Sequence, residues 1–249
     1  MRESRFLAKE SGLVHRVRGG KPCKSGFLCR GVGSRDLAAV AETRAQRHIL
    51  PMAILKIARM GHPVLSRIAQ PVADPTAPEI RALVVDMVQT MIDANGAGLA
   101  APQVYVPLRV VIFQAPPERA PEGMDEEESY DHTAALTVLI NPEIERLGDA
   151  MEEGWEGCLS VPGLRGLVPR HSEIIYRGLG LDGEMIERRA KGFHARVVQH
   201  ECDHLDGMLY PQRMSDLGNL IFESEVRARI EAEAESQAEA ENREQAADA

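Results

Sequence analysis

The segment Gln199-His200-Glu201-Cys202-Asp203-His204 holds the residues best suited to chemistry in this chain. Histidines four residues apart on a helix share one face, one turn from each other, so both imidazoles can reach one metal ion. Glu201, beside the first, stands where a carboxylate can take a proton from water that a metal activates. Val197, His200, Glu201 and His204 also fall at i, i+3, i+4 and i+7, the spacing of a buried helix face. Polar groups aimed at a core need a partner, and a metal ion supplies one. The run continues Leu205-Asp206-Gly207-Met208-Leu209-Tyr210. The glycine of the longer H-E-x-x-H-x-x-G-x-x-H pattern is therefore present, but Tyr210 takes the place of its third histidine. A catalytic site with three protein ligands then needs a donor from elsewhere.

Glu156-Gly157-Cys158-Leu159-Ser160 offers that donor. A cysteine by itself is more often a small buried hydrophobe. Beside two imidazoles, the Cys158 thiolate completes a three-ligand set and leaves a fourth position open for water. A third segment is Gly96-Ala97-Gly98-Leu99-Ala100-Ala101-Pro102-Gln103. Its small residues let another backbone approach closely, as an extended peptide requires, and Gln103 can aim an amide N–H at an oxyanion. It is no phosphate loop, because neither Lys-Ser nor Lys-Thr follows the glycines.

Together the three segments resemble the peptide deformylases, which carry G-x-G-L-A-A-x-Q, E-G-C-L-S and Q-H-E-x-D-H-L-x-G in that order. All three are intact here, at Gly96–Gln103, Glu156–Ser160 and Gln199–Gly207, and the likeness spans roughly Met52 to Met214. The resemblance implies one divalent metal ion, Fe2+ in many members with Zn2+, Ni2+ or Co2+ as substitutes, held by Cys158, His200 and His204. It implies Glu201 as general base and then acid, with the Gln103 side chain and the Leu159 backbone N–H stabilising the oxyanion. The implied reaction removes the formyl group from formyl-Met nascent peptides, with transient proximity to the ribosome. Gly96, Ala97, Gly98 and Leu99 would pair with the peptide main chain, and Phe193 and Val197 would line the methionine slot. Two other readings stay open on the residues alone: a metallopeptidase cutting ordinary peptide bonds, and a non-catalytic module built on a structural metal.

Elements must position these residues. Thr76-Ala77-Pro78-Glu79 predicts a capping box opening a helix, with Ile80, Leu83, Val84, Met87, Val88 and Met91 as its apolar stripe and Asn95-Gly96 as its stop. Arg109 to Gln114 and Leu136 to Asn141 read as strands, and residues 115–135, rich in proline and acid, as a surface insertion. His171 to Tyr176 and Glu184 to Ala190 suggest a hairpin turning at Asp182-Gly183. The metal helix then runs over about Phe193 to Leu205, and a short helix is expected near Leu220 to Ile230. Strands of mixed arrangement packed around one functional helix indicate a single α+β domain over residues 52–214.

Charge divides the chain unevenly. Residues 1–51 hold eleven Lys/Arg and four Asp/Glu, net +7, while the remainder holds 18 basic and 34 acidic residues, net −16. An acidic body argues against direct nucleic-acid binding by the core. The basic leader is expected to be disordered. It is either a transit peptide for a mitochondrion or plastid, or sequence ahead of a true start at Met52 in a bacterial-type cytoplasmic protein. Residues 215–249 combine the short helix with an acidic Ala/Glu-rich tail. No segment is long and apolar enough for a membrane. The four cysteines suggest no disulfide framework, which fits a reducing compartment.

Overall fold

Ile80, Val84, Met87 and Met91 recur at helical spacing and are buried along α1, Pro78–Asp93. The protein is seen in a computed structural model that describes residues 53–125 and 129–232. The leader, 1–51, and the tail beyond residue 232 lie outside the described residues. The expected capping box does not form. Helix α1 is capped at Ala77 without a side-chain bond, because the Thr76 hydroxyl donates to Asp74 Oδ1 at 2.6 Å. Pro78 in the first turn opens the helix instead, where its missing N–H costs nothing. At the far end Gly96 N–H bonds Met91 O at 2.9 Å and Asn95 N–H bonds Ile92 O at 3.1 Å. These are the paired bonds of a Schellman stop, with Asn95 in the left-handed region at φ 51°.

The strands in chain order are β1 Gly98–Ala100, β2 Val110–Ala115, β3 Ala134–Arg146, β4 Met151–Cys158, β5 Val161–His171, β6 Glu173–Leu179, β7 Met185–Lys191 and β8 Leu220–Phe222. Helix α2, Gly192–Leu205, follows β7. One sheet has five strands in the order β1-β2-β3-β6-β7 and the other three in the order β4-β5-β8. Their ladders are antiparallel, and among the described residues one parallel bridge joins Gln70 to Leu108. Helices beside antiparallel sheets make this an α+β fold. Strand β2 explains the layering. Alternate side chains point to opposite faces, so Val111, Phe113 and Ala115 pack with α2 residues Ala195, Val198, Cys202 and Leu205. Val110 and Ile112 pack on the other side with the apolar stripe of α1. Helix α2 is thus buried against the centre of the larger sheet, and it carries the histidines there.

The smaller sheet holds one strand that no expectation covered and one that overturns an expectation. No element was expected over β5, which carries Pro162, Gly163, Gly166 and Pro169, yet it is the strand between β4 and β8. The helix expected from Leu220 begins instead as β8, whose Leu220, Ile221 and Phe222 pair with β5; helix resumes only over residues 226–232. The insertion is tethered at its return. Asp131 O accepts from His194 Nδ1 at 2.8 Å and from Lys191 N at 3.0 Å, and Ala134 is buried.

Candidate active site

Helix α2 brings His200 and His204 to one face, their rings 4.9 Å apart at 90°. Between Glu156 and Cys158 the β4–β5 register shifts, and this irregularity turns Cys158 toward the helix. Cys158 Sγ lies 3.3 Å from His204 Nε2. The ligand atoms of Cys158, His200 and His204 all fall within 4.8 Å of one another, a group able to hold a metal ion. A thiolate with two imidazoles suits a transition-metal ion far better than calcium or magnesium.

Each imidazole has its outer nitrogen engaged. His200 Nδ1 donates to Glu156 Oε2 at 2.8 Å, and His204 Nδ1 donates to Met208 O at 3.2 Å. Both Nε2 atoms therefore face the centre, which is how outer partners orient metal-ligating histidines. Gly207 makes the second bond possible. Its left-handed φ of 74° stops the helix, and a Cβ there would meet Ser66 backbone carbon at 2.8 Å. Glu156 is itself clamped by Arg170 through Nε at 2.8 Å and Nη2 at 2.9 Å, and by Arg196 Nη1 at 3.0 Å. Arg170 continues to Asp203 at 2.5 Å, and Asp203 to Arg213 at 2.7 Å. Glu156, Arg170 and Asp203 are all buried. Sequence reasoning gave these residues no role. The available signal was Glu156 and Asp203 standing inside two of the motifs, and charged residues almost never go inside unpaired.

Glu201 is 4% exposed, and its Oε2 is buried without a hydrogen-bond partner. Its carboxylate lies against the backbone of β1: a Cβ on Gly98 would stand 2.3 Å from Glu201 Oε1. The glycine is therefore explained by the Glu201 carboxylate as well as by any peptide. Gln103 follows β1 in a short turn and is fixed at both ends of its amide. Its Oε1 accepts from Ala100 N at 2.8 Å, and its Nε2 points to Ser160 Oγ at 3.1 Å and Cys158 Sγ at 3.4 Å. Leu159 is half-buried and comes within 3.0 Å of the Cβ position of Gly96. A cleft of about 480 Å³ joins these parts, lined by Gly96, Ala97, Gly98, Gln103, Cys158, Leu159, Phe193, Val197, His200 and Glu201. Leu99 is fully buried in the core instead. His204 does not line the cleft but joins the group through Cys158 Sγ, 3.3 Å from its Nε2. Tyr210, in the third-histidine position, stacks on His200 with centroids 6.2 Å apart, and its hydroxyl is buried without a partner.

The electrostatics match this layout. Burial would raise the Cys158 thiol, but His204 and His200 hold it well below its usual range. Burial would lower His200, yet Cys158 and Glu156 raise it well above the ordinary imidazole. Burial pushes Glu201 up to about 7, against the pull of both histidines. A carboxyl poised near neutrality can both accept and return a proton.

Residues 54–219 match the family model described as Polypeptide deformylase. Peptide deformylase 2 of Ralstonia nicotianae is 55% identical over 165 residues, covering 66% of this chain and 88% of that protein. Peptide deformylase 1 of Bordetella pertussis is 55% identical over 163 residues, 65% of this chain and 88% of that one. Among solved structures, the class I type b peptide deformylase of Acinetobacter baumannii with Met-Ala-Ser bound is 38% identical. It superposes with a TM-score of 0.57 and covers 66% of this chain and 99% of its own. The peptide deformylase of Ehrlichia chaffeensis is 32% identical with a TM-score of 0.60, covering 67% and 91%.

Proposed function

The chain belongs to the polypeptide deformylase family and removes the N-formyl group from the initiator methionine of newly made polypeptides, releasing formate; we propose that the Cys158, His200 and His204 group carries that reaction, with Glu201 as proton carrier. One observation supports this most: three donors converge within 4.8 Å beside a buried Glu201 oxygen that has no partner. Cys158, His200 and His204 would hold a divalent ion, which would supply Lewis acidity and acidify a bound water toward neutral pH. Fe2+ is the proposed native ion, following the family resemblance, and the donor set also suits Zn2+, Ni2+ or Co2+.

Glu201 accepts the proton of the attacking water and delivers it to the departing amine. Gln103 Nε2 and the Leu159 N–H donate to the oxyanion growing on the formyl oxygen. Strand β1 lies at the end of its sheet, and its free edge, with Gly96 and Ala97 ahead of it, takes the peptide main chain as an added strand. Leu99 contributes backbone alone, since its side chain is in the core. Phe193 and Val197 line the methionine slot. The Acinetobacter relative, seen with Met-Ala-Ser, supports a peptide in this cleft.

Residues 52–214 are proposed as the catalytic domain, between the basic leader 1–51 and the acidic end 215–249. Among the described residues no helix is long and apolar enough to cross a membrane. A cytoplasmic setting close to the ribosome is proposed, where formylated chains emerge. Formate release from formyl-Met-Ala-Ser by the anaerobically purified full chain, with metal content measured alongside, tests the whole reading. Formate from the wild type but none from a metal-loaded Glu201→Ala protein is the expected result. A fully loaded wild type that releases no formate would overturn it.

A further inference from the structure

Three arginines line the cleft, and they differ in what holds them. Arg165 is ion-paired with Glu223, its Nε 3.1 Å from Oε1. Arg196 donates to Glu156 at 3.0 Å and to the carbonyls of Val168 and Glu152, each at 2.7 Å. Arg119 has no ion-pair partner among the described residues. Its guanidinium lies over the Phe193 ring, 5.2 Å from the centroid. This cation–π contact holds the group at the cleft rim without consuming its N–H donors. Arg119 sits on the short turn Pro117–Arg119, at the start of the insertion. There the main cleft meets a second hollow of about 440 Å³, which shares Arg119, Trp155, Phe193 and Arg196 with it.

We propose that Arg119 is a specificity-determining residue that favours an acidic side chain at the third position of the formylated peptide. The proposal takes deformylation with Phe193 in the methionine slot as its premise. In a peptide added to the β1 edge, successive side chains alternate between faces. When methionine faces Phe193, the second side chain points away and the third returns to the same side. At a strand rise of about 3.4 Å per residue, the third side chain stands roughly 7 Å beyond the first. Arg119, whose guanidinium lies over the Phe193 ring, is the cleft-lining arginine without an ion-pair partner among the described residues.

The test compares kcat/KM for tetrapeptides formyl-Met-Ala-X-Ala, with X as Glu, Gln or Lys. All are amidated, so that no terminal carboxylate can substitute for the side chain. For metal-loaded wild type at low salt we expect Glu over Lys by roughly three- to fivefold, the size of an exposed ion pair, fading in 0.5 M salt. Arg119→Gln should bring the ratio near one, and Arg119→Glu should invert it, a change of sign that altered folding would not produce. The same series at the second position should be flat. A wild-type ratio of one at the third position, or an unchanged ratio in both variants, overturns the proposal. Absence of formate from every peptide would instead remove the deformylase premise and the proposal together.

Discussion

Cys158 and Gln103 touch one another, yet their losses should separate cleanly. Cys158→Ser replaces a thiolate by a neutral hydroxyl, a far poorer ligand, so metal content falls first and activity follows it. Gln103→Ala removes the proposed oxyanion donor, and such losses typically cost about 2.7–4 kcal/mol of transition-state stabilisation. We expect that protein to keep its metal and lose kcat/KM by roughly 100- to 1000-fold. Mass spectrometry for the metal beside the rate distinguishes them, and normal turnover by metal-loaded Gln103→Ala would remove its role. Glu156 acts through His200 and so is a positioning residue. Glu156→Gln keeps the shape but withdraws the charge that accepts from His200 Nδ1, and it leaves Arg170 with one fewer anion. Metal affinity should drop about 10- to 100-fold, the usual cost of an outer partner. Competition with a chelator measures it, and an unchanged dissociation constant would count against the role.

At the scale of elements, the contact between α2 and β1 sets the carboxylate. Gly98→Ala would drive a methyl group into Glu201. The expected protein folds and binds metal but turns over roughly 100-fold more slowly, since small displacements of a reacting group carry such costs. Wild-type kcat from Gly98→Ala would show that the carboxylate adapts freely. Much of α2 was legible, because two histidines and a carboxylate on a buried stripe at 3.6-residue spacing demand a ligand to satisfy them. The turn at Asp182-Gly183 and the stop at Asn95-Gly96 were legible through local chemistry, whereas the start of α1 was legible in place only, since the capping box read there does not form. Strand β5 was not: its prolines and glycines hide the alternation, and its inward-facing Arg170 is tolerated only because Glu156 and Asp203 wait in distant parts of the chain. Strand β8 escaped for a related reason. Leu220 to Phe222 is too short to show a period, and only the edge of β5 selects it as strand. Partners remote in sequence leave no periodic trace at either end.

For the whole molecule, His194 ties three parts together and should leave a signature in stability against pH. It begins the buried face of α2, donates to Asp131 O on the returning insertion and lies 3.3 Å from the Tyr176 hydroxyl on β6. Asp131, Arg188 from β7 and His132 are the charged or titratable groups that face it besides Tyr176. Burial pushes His194 down to about 4 from the ordinary 6.5, with Arg188 and His132 adding to the fall and Asp131 opposing it. The unfolded chain therefore binds a proton between these limits while the folded one does not, and stability drops as pH falls. The neutral imidazole's contribution is fully present above about 6.5 and is lost as pH falls through about 4, on the order of 3 kcal/mol at most. Glu156 has the same sign but acts lower, because its folded carboxyl is held well below the ordinary range. Glu201, raised to about 7, has the opposite sign, losing stability as pH rises. The difference between wild type and His194→Gln at each pH cancels both. Urea unfolding should show the wild-type advantage shrinking between pH 7 and pH 4. A constant difference across that range would mean that the imidazole holds the insertion, α2 and β6 together by shape alone, with no proton linked to folding.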